Sequence, residues 1–278
     1  MSRGTVFVTG ASTGIGRATA ERLAGAGYDV IPGLRTVQPL PSPVQPPVRI
    51  DLADPATIDA ACREVLDRSD GRLVGLVNNA GYTVSGPTES IDLDDWRAQF
   101  EVNLFGHIAI TRSLLPALLK SKGRVVNVGS IGGRMSSPFI TPYNASKFAM
   151  RAWTDGLRME VAPHGVAVTL IEPGSIDTPL WQKGNELADE QLAKLSAEQR
   201  ARYATQIKGA RKAADFAAAH GIPPERCAEV IEQAMTARRP KGRYLVGRDA
   251  RLQAVMAMLP VRLSDRMTQT MLGRLGRD

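Results

Sequence analysis

A glycine-rich turn behind the first apolar run constrains the fold more than any other feature of the chain. Residues 5–8 predict a buried strand, and Gly10, Gly14 and Gly16 follow at a Gly-x-x-x-Gly-x-Gly spacing before a helix-forming stretch from Arg17. Such glycines allow a tight bend, a close approach of the backbone to a pyrophosphate, and close packing of helix on strand. The pattern predicts a dinucleotide-binding turn, although an ordinary strand-to-helix turn can carry the same glycines.

Apolar runs bounded by turn residues alternate with helical periodicity along the whole chain. The runs predict seven strands, at residues 5–9, 29–33, 48–51, 73–78, 124–128, 167–171 and 244–247. Helices are predicted at residues 17–25, 56–66, 94–120, 143–161 and 225–237. Because no linker separates two cores, we expect one domain over residues 1–278. Its fold class is α/β, a Rossmann-type doubly wound, seven-stranded parallel sheet with helices on both faces.

Three segments depart from this alternation. Residues 37–47 carry five prolines, which exclude a helix and predict an extended, exposed loop. Residues 186–219 are rich in helix-forming residues and predict one or two helices, which form either a substrate lid over about residues 180–222 or an exposed helix pair. A helical tail is expected over about residues 249–278.

Composition and charge exclude several classes of protein. The net charge is +7, but Lys and Arg are scattered and no nucleic-acid-binding motif accompanies them, so we expect no nucleic-acid partner. Cys62 and Cys227 lie far apart and the three histidines are dispersed, which indicates neither a metal site nor a disulfide. An export signal and an apolar run long enough to span a bilayer are not recognised, so we expect a cytoplasmic protein.

Polar residues gather where the predicted strands end. Tyr143 and Lys147 are four residues apart and share one helix face. Ser130 follows the strand at residues 124–128, at the carboxyl edge where ligands of such sheets bind, and residues 78–81, Asn-Asn-Ala-Gly, end another strand at that edge. Asn103 lies within an otherwise apolar helix and must find a polar partner.

Taken together, these motifs resemble those of the short-chain dehydrogenase/reductase family, in its compact single-domain branch. The resemblance rests on Thr-Gly-x-x-x-Gly-Ile-Gly, Asn-Asn-Ala-Gly, the serine with Tyr-x-x-x-Lys, and Pro-Gly followed by Ile-Asp-Thr, in that order along the chain. It implies a catalytic tetrad of Asn103, Ser130, Tyr143 and Lys147. Taken singly, these residues could instead be a helix-bending asparagine, a strand-end cap and a surface tyrosine.

The implied chemistry moves a hydride between nicotinamide and a carbinol or carbonyl carbon, and the proton travels separately. Free tyrosine titrates near pH 10, so we expect the charge of Lys147 to favour the Tyr143 phenolate and make it the general acid or base. Ser130 would position the reacting oxygen. By resemblance, Lys147 also holds the nicotinamide ribose, and Asn103 fixes a water that links the lysine to solvent.

NADP is the expected cofactor, with NAD as the alternative. Leu34 and Arg35 stand at the end of the second strand, where an acidic residue would bind the ribose of NAD, and Arg35 can clasp a phosphate or stack on adenine. Asp51 resembles the family's adenine contact, although it could be a helix cap ahead of Pro55. The cofactor contacts carried over are Gly10, Ser12, Thr13, Gly14, Ile15, Gly16, Arg35, Asp51, Leu52, Asn79, Ala80, Gly81, Tyr143, Lys147, Pro173, Gly174, Ile176 and Thr178.

The substrate is expected to be a lipophilic secondary alcohol, ketone or aldehyde that contacts Ser130, Tyr143 and Trp181. The expectation rests on the resemblance of residues 243–247 and the tail to relatives that act on steroids and retinoids. Carboxylate or coenzyme-A-linked ketones would also suit a basic chain. A catalytically idle NADP sensor is the rival from another class.

Association is expected through long helices and through the tail. By resemblance, the helices near residues 94–120 and 143–161 form a homodimer or homotetramer. In the tail, apolar residues at helical spacing predict packing on the body or on a partner subunit, with peripheral membrane contact by a basic amphipathic helix as the alternative. They are Leu252, Val255, Met256, Leu259, Leu263, Met267, Met271 and Leu275.

Overall fold

The computed structural model describes residues 2–41 and 44–277, and a seven-stranded parallel sheet lies at its centre. The strand order across the sheet is β3-β2-β1-β4-β5-β6-β7. In chain order the strands are β1 (Thr5–Thr9), β2 (Asp29–Leu34), β3 (Val48–Arg49), β4 (Leu73–Asn78), β5 (Arg124–Val128), β6 (Ala167–Pro173) and β7 (Arg243–Val246). The predicted sheet is confirmed, although β3 is shorter and β6 longer than expected.

The helices lie close to their predicted positions. Their bounds are α1 (Gly14–Gly25), α2 (Pro55–Ser69), α3 (Leu93–Phe100), α4 (Gly106–Ser121), α5 (Thr141–Val161), α6 (Leu180–Ala193), α7 (Ala197–Ala219), α8 (Pro224–Thr236), α9 (Arg248–Met256) and α10 (Val261–Arg277). A π-helical turn, Glu101–Phe105, joins α3 to α4, so the long helix expected over residues 94–120 contains one wider turn.

Helices cover both faces of the sheet, as predicted. Successive residues of a strand point to opposite faces, so Phe7 packs into one apolar cluster while Val6 and Val8 pack into the other. The cluster that contains Phe7 includes side chains of α2, α4 and α5. The other includes side chains of α1 and α8. Both faces of β1 are therefore buried, which explains its continuous apolar run.

One helical run, Leu93–Ser121, is long and apolar enough by length and composition to cross a membrane, which the sequence analysis did not predict. Its side chains Ile110, Leu114 and Leu118 are fully buried and pack in the same cluster as Phe7 of β1. This is the position of a core helix in a sheet protein rather than of an isolated membrane span.

The proline-rich segment runs as an irregular connection between β2 and β3, and its Ser42 and Pro43 lie outside the described residues. Val37 is 52% exposed, but Leu40 and Val44 pack against the cluster of α1 and α8. The prediction of a non-helical loop is confirmed, and the prediction that all of it is exposed is wrong because these two apolar side chains find partners.

The helix-rich segment after β6 forms two helices, α6 and α7, separated by a short break. Ser196 ends the break by accepting a hydrogen bond from the Gln199 amide (3.1 Å), while the Gln199 side chain accepts one from the Ser196 amide (2.9 Å). This reciprocal cap satisfies two amides that a helix start otherwise leaves unpaired. α7 can therefore begin afresh after α6.

The tail packs on α7 through small residues. Gly209 of α7 and Gly276 of α10 are buried, and a β-carbon added to either would overlap a carbonyl oxygen of the other helix, that of Leu272 or Thr205. Leu272 is the large side chain buried at this contact. The two helices approach closely because neither glycine carries a side chain.

The apolar stripe expected to pack on the body is for the most part exposed. Leu252, Val255, Leu263, Met267 and Met271 are 43–63% exposed. These five residues do not pack on the body; on α10 it is a neighbouring face, that of Leu272 and Gly276, that turns toward α7. Packing of the stripe on a partner subunit stays a prediction. Asp278, the last residue of the predicted tail, lies outside the described residues.

Replacing Gly276 should disturb the helix contact, whereas replacing Gly273 should not. Gly276→Ala introduces a methyl group that meets the Thr205 backbone, while a β-carbon on Gly273, in the same helix, has no neighbour within 4 Å. We expect Gly276→Ala to loosen α10, seen as faster tryptic cleavage within it and a lower midpoint of thermal unfolding. Gly273→Ala should match the parent or gain up to about 1 kcal/mol from helix propensity. Equal behaviour of the two variants would contradict the proposed close contact.

Candidate active site

The glycine turn follows β1 and lies beside the end of β4, its neighbour in the sheet. The strand order reverses at this point, which is where ligands of doubly wound sheets bind. Gly10 and Gly14 have φ angles of +65° and +55°, a left-handed conformation that favours glycine. A β-carbon on Gly16 would overlap the Gly10 carbonyl oxygen and the Asn79 side-chain amide. The helix and the turn can pack at this distance only without a side chain, as predicted.

The first turn of α1 suits an anionic group. Thr13, at the cap position, makes no side-chain hydrogen bond to the helix amides, and the first turn contains no acidic residue. The helix start therefore presents amide donors and the positive end of the helix dipole. Ser12, Thr13 and Ile15 are at least partly exposed around it. These features fit the pyrophosphate of a dinucleotide. A side chain at Gly14 would reduce the space for that group.

The Asn-Asn-Ala-Gly segment after β4 holds the glycine turn in place. The Asn79 side-chain amide donates to the carbonyls of Thr9 (2.9 Å) and Gly10 (3.2 Å), and its backbone amide donates to Thr9 Oγ1 (2.9 Å). A β-carbon on Gly10 would lie 2.8 Å from Ala80 Cα. The ends of β1 and β4 are thus locked together at the edge where the predicted ligand residues meet.

Asn103 lies in the π-helical turn and is fully buried. Its Oδ1 accepts from the Tyr82 amide (3.1 Å), and its Nδ2 donates to the Tyr82 carbonyl (3.0 Å) and to Ser146 Oγ (3.3 Å). The amide thus finds the partners that its burial requires. It fixes the loop after Gly81 against α5.

Ser130 and Tyr143 meet beside Gly132. Ser130 Oγ accepts from the Gly132 amide (3.0 Å), so it also caps a short turn, which was the structural alternative. A β-carbon on Gly132 would lie 3.3 Å from Ser130 Oγ and 3.4 Å from Tyr143 Cε1. The Ser130 hydroxyl and the Tyr143 ring therefore both lie close to this one small residue.

Lys147 completes the cluster. Its Nζ donates to the Val128 carbonyl (3.0 Å) and lies 5.8 Å from the centre of the Tyr143 ring. A β-carbon on Gly81 would lie 3.1 Å from Asn103 Oδ1 and 3.8 Å from Lys147 Nζ. The structure thus brings the four residues of the predicted tetrad together at the carboxyl edge of the sheet.

Burial dominates the electrostatics of this cluster. It raises the pKa of the Tyr143 phenol, which an interaction with the Ser130 hydroxyl partly opposes. Burial also lowers the pKa of Lys147 to about 8. The expectation that the charge of Lys147 favours the Tyr143 phenolate is therefore not met in the chain by itself, where desolvation is the largest influence on the pKa of the phenol.

The residues expected at the adenosine end lie past β2 and β3. Arg35 is exposed directly after β2. Asp51 is half-buried, and its Oδ1 accepts from the Ala53 amide (3.0 Å), while Leu52 is buried beside it. The cap of α2 is Asp54, whose Oδ1 accepts from the Ala56 amide (2.9 Å). Asp51 is therefore not the helix cap that was its alternative role.

The turn after β6 contacts the glycine turn. A β-carbon on Gly14 would lie 2.9 Å from the Thr178 methyl group. Pro173 ends β6, the Gly174 amide donates to the Val246 carbonyl (2.9 Å), and Ile176 is buried. The predicted contacts on the two turns therefore face one another.

Trp181 lines a groove that does not include the tetrad. Its indole Nε1 donates to the Ile176 carbonyl (2.8 Å), so its polar end is occupied. The groove, of about 580 Å³, lies between the turn after β6, the start of α6 and the end of α7. Its lining is Asp177, Thr178, Pro179, Trp181, Gln182, Asn185, Glu186, Asp189 and Ala218, without any tetrad residue.

Sequence analysis missed two buried polar residues that flank Asn103. Gln99 Oε1 accepts from the Val84 amide (2.7 Å), and Nε2 donates to the Tyr82 carbonyl (2.8 Å). His107 Nε2 lies 2.8 Å from the Ala80 carbonyl, and burial lowers the pKa of this imidazole to about 3, so it is neutral. Gln99, Asn103 and His107 recur every four residues in an apolar helix, a signal that was available in the sequence.

Two long-range ties were also missed. Asp249 of α9 accepts from the Ser175 amide (2.6 Å) in the turn after β6. Arg134, in the loop after Ser130, makes a two-point ion pair (2.6 and 2.7 Å) with Glu172 of β6, which is fully buried. The pair fixes the Ser130 loop to the neighbouring strand. Neither partner could be paired from sequence spacing alone.

Comparison with known proteins agrees with this geometry. The family model described as "short chain dehydrogenase" matches residues 4–189. The chain therefore belongs to the short-chain dehydrogenase family, and it is an NAD(P)-dependent oxidoreductase that acts on alcohol and ketone groups.

Three relatives are about one-third identical to this chain over most of both lengths. A 3-amino-tetrahydro-pyrrolizinone reductase of Xenorhabdus hominickii is 34% identical, covering 90% of this chain and 89% of the relative. An NADPH-dependent 3-dehydrocapnine reductase of Ornithobacterium rhinotracheale is 32% identical, covering 94% of each. Retinol dehydrogenase 5 of Mus musculus is 33% identical, covering 97% of this chain and 89% of the relative.

Solved structures of similar fold carry either nucleotide. A short-chain dehydrogenase of Burkholderia cenocepacia in complex with NADP has a TM-score of 0.74 and 26% identity, over 96% of this chain and 98% of that one. One of Burkholderia phymatum in complex with NAD has a TM-score of 0.76 and 25% identity, over 96% and 95%.

Lys147→Met should alter how folding stability depends on pH. The folded-state pKa of about 8 is below the ordinary 10.5, so between these values the unfolded state binds more protons and the contribution of Lys147 to stability rises with pH. The free energies of unfolding of parent and variant are measured with urea from about pH 7 to about pH 10. Over this range the parent value minus the variant value should increase by on the order of 1–3 kcal/mol.

The control is Lys120→Met, at an exposed lysine in the last turn of α4. Its difference from the parent should stay flat over the same range. A flat difference for Lys147→Met as well would show that burial does not lower the pKa of this lysine.

Proposed function

We propose that the protein is an NADP-preferring oxidoreductase for a lipophilic secondary alcohol, ketone or aldehyde. One observation carries the proposal: Asn103, Ser130, Tyr143 and Lys147 converge beside the glycine turn at the carboxyl edge of the sheet. The nicotinamide cofactor supplies or accepts the hydride. The chain's own residues position the substrate oxygen and move the proton.

Tyr143 is the proposed general acid in reduction and general base in oxidation. Its raised pKa keeps the phenol protonated near neutral pH, which suits proton donation to a carbonyl oxygen. Ser130, which lies beside Gly132 as the phenol ring does, would hydrogen-bond the same oxygen and stabilise charge that develops on it.

Lys147 and Asn103 are proposed to restore the proton and to hold the ribose. With a pKa of about 8, Lys147 exchanges a proton near neutral pH more readily than an ordinary lysine does. Lys147 Nζ and Asn103 Oδ1 both lie near Gly81, and Asn103 fixes the neighbouring loop through Tyr82. A water held there by Asn103 would connect the lysine to solvent.

The preference for NADP is proposed from the end of β2. Leu34 and the exposed Arg35 stand where an acidic residue would bind the ribose of NAD and repel a phosphate. An exposed guanidinium can bind a ribose phosphate through two hydrogen bonds. The NADPH dependence named for the 3-dehydrocapnine reductase supports this preference. Asp51 and Leu52 would contact the adenine ring.

A lipophilic substrate is proposed from relatives and from the wall of the groove. Retinol dehydrogenase 5, by its name, acts on a lipophilic alcohol. Trp181 offers an apolar ring at the start of α6, and α6 and α7 are the proposed substrate lid over about residues 180–222. This lid is attached to α3, where Gln191 Nε2 donates to Asp95 Oδ2 (2.7 Å), and to the loop between β4 and α3, where Arg202 pairs with Glu89 (3.0 Å).

Self-association is also proposed, as a homodimer or homotetramer. Phe105 is 50% exposed, Phe148 is 41% exposed and Met159 is 68% exposed, on the π-turn beside α4 and on α5. Exposed side chains of this size on long helices suit a partner subunit. A cytoplasmic location is proposed with it.

Tyr143→Phe should abolish turnover while leaving cofactor binding largely intact. The substitution removes only the hydroxyl that transfers the proton, which is worth about 10²- to 10⁴-fold or more in rate. Turnover is measured as the decay of NADPH absorbance with a panel of steroid, retinoid and medium-chain carbonyl compounds, and binding by fluorescence titration with NADPH.

The matched control is Tyr244→Phe on β7, whose hydroxyl accepts only from the Lys241 amide at an exposed site (3.1 Å). It should retain parental turnover. Unchanged turnover in Tyr143→Phe would refute the mechanism. Tight NADPH binding by the parent without turnover on any carbonyl would instead favour a nucleotide sensor.

Arg35→Ala should weaken NADPH binding far more than NADH binding. The guanidinium is proposed to contact a phosphate that only NADPH carries, and loss of such a charged hydrogen bond costs about 1.5–3 kcal/mol, or about 10- to 100-fold in Kd. Fluorescence titration with both nucleotides measures the ratio. Arg63→Ala, on the exposed side of α2, serves as the control. Equal losses for both nucleotides would point to stacking on adenine instead.

A further inference from the structure

The tail carries an unusual share of the exposed apolar surface. Of thirteen large apolar side chains that are exposed among the described residues, seven lie on α9, on α10 or in the turn between them. The seven are Leu252, Val255, Met258, Val261, Leu263, Met267 and Met271. Together with the exposed arginines of α9 and α10, they form what we call the tail surface. Met258 and Val261 reach 83% and 74% exposure. A concentration of this kind marks an interaction site.

The exposed row is separate from the face that anchors the tail. Leu263, Met267 and Met271 are four residues apart and form one row on α10. Leu272 and Gly276, which pack against α7, lie on a neighbouring face. The row is therefore not needed for attachment to the body, and it stays available when α10 is docked.

Arginines border the apolar row. Arg262 and Arg266, each one position before a member of the row, lie beside it on α10, and both are exposed. Arg251, Arg274 and Arg277 are also exposed. None of the five makes an ion pair within the part of the chain that the structure describes. Their charge is therefore free for an external partner.

Acidic residues on the same helices do not cancel this charge. Asp249 is engaged by the Ser175 amide, which leaves Asp265 as the other acidic residue between Arg248 and Arg277. A second copy of the chain docked through the same surface would place arginines against arginines, which opposes an isologous dimer. A suitable partner for this surface therefore accommodates apolar side chains and carries negative charge.

We propose that the tail surface docks the protein on an anionic phospholipid bilayer. Leucine, valine and methionine side chains would enter the boundary between headgroups and acyl chains, and the bordering arginines would bind lipid phosphates. The arrangement of an apolar row beside a cationic row is that of a helix lying in the plane of the interface. The attachment is peripheral and does not depend on the substrate.

Vesicle flotation with the full-length protein tests the proposal. The vesicles are phosphatidylcholine alone, or phosphatidylcholine mixed with phosphatidylglycerol. The parent should float with the mixed vesicles and not with the neutral ones, and added salt should release it. Absence of binding to the mixed vesicles, or equal binding to both, would overturn the proposal.

Two double variants separate the apolar and the cationic contributions. Met267→Ser with Met271→Ser, and Arg262→Gln with Arg266→Gln, should each weaken binding about tenfold or more. The matched controls are Leu93→Ser and Arg97→Gln, at positions on α3 whose side chains are 68% and 71% exposed, and they should bind as the parent does.

Two further measurements distinguish lipid binding from a loss of fold and from self-association. Thermal unfolding and NADPH binding of the tail variants should match the parent, which shows that weaker flotation is not a loss of fold. Analytical ultracentrifugation of parent and methionine variants follows self-association. A dimer that the methionine substitutions dissolve, without vesicle binding by the parent, would assign the surface to a second copy and overturn the proposal.

Discussion

The contact of Gly16 with the Gly10 carbonyl and the Asn79 amide is the constraint on which the site depends. Because no β-carbon fits there, α1 starts directly against the end of β1, and Asn79 can reach across from β4 to bind the carbonyls of Thr9 and Gly10. The amides at the start of α1 are therefore held open toward the carboxyl edge of the sheet. The point where the strand order reverses thus presents a closely packed turn whose free amides suit an anionic group.

Around this site the protein buries polar groups that would otherwise be solvated, and three of them show how a partner compensates the burial. Lys147 donates to the Val128 carbonyl, Asn103 binds both polar groups of the Tyr82 backbone, and Glu172 is matched by Arg134. The wider π-helical turn at Asn103 takes up part of the drift that a four-residue repeat accumulates in an ordinary helix. The helix can thereby keep Gln99, Asn103 and His107 directed at one loop.

The fold and the tetrad could be predicted because their signals are local. Apolar runs define strands, glycines define the turn, and Tyr143 and Lys147 are joined by helix spacing. Gln99 and His107 were missed, although their spacing from Asn103 was visible, because isolated polar residues in an apolar helix suggest no partner without the fold. The ties of Arg134 to Glu172 and of Asp249 to Ser175 join distant elements, so no local pattern reveals them.

The tail shows why apolar periodicity alone can misassign a buried face. Helix α10 turns Leu272 and Gly276 toward α7, and glycines give no hydrophobic signal although they allow the closest approach of two helices. The stronger apolar pattern, one position away, remains exposed. Since α9 is attached through Asp249 to the turn after β6, and α10 packs on α7, the tail contacts both the turn that faces the glycine loop and helix α7.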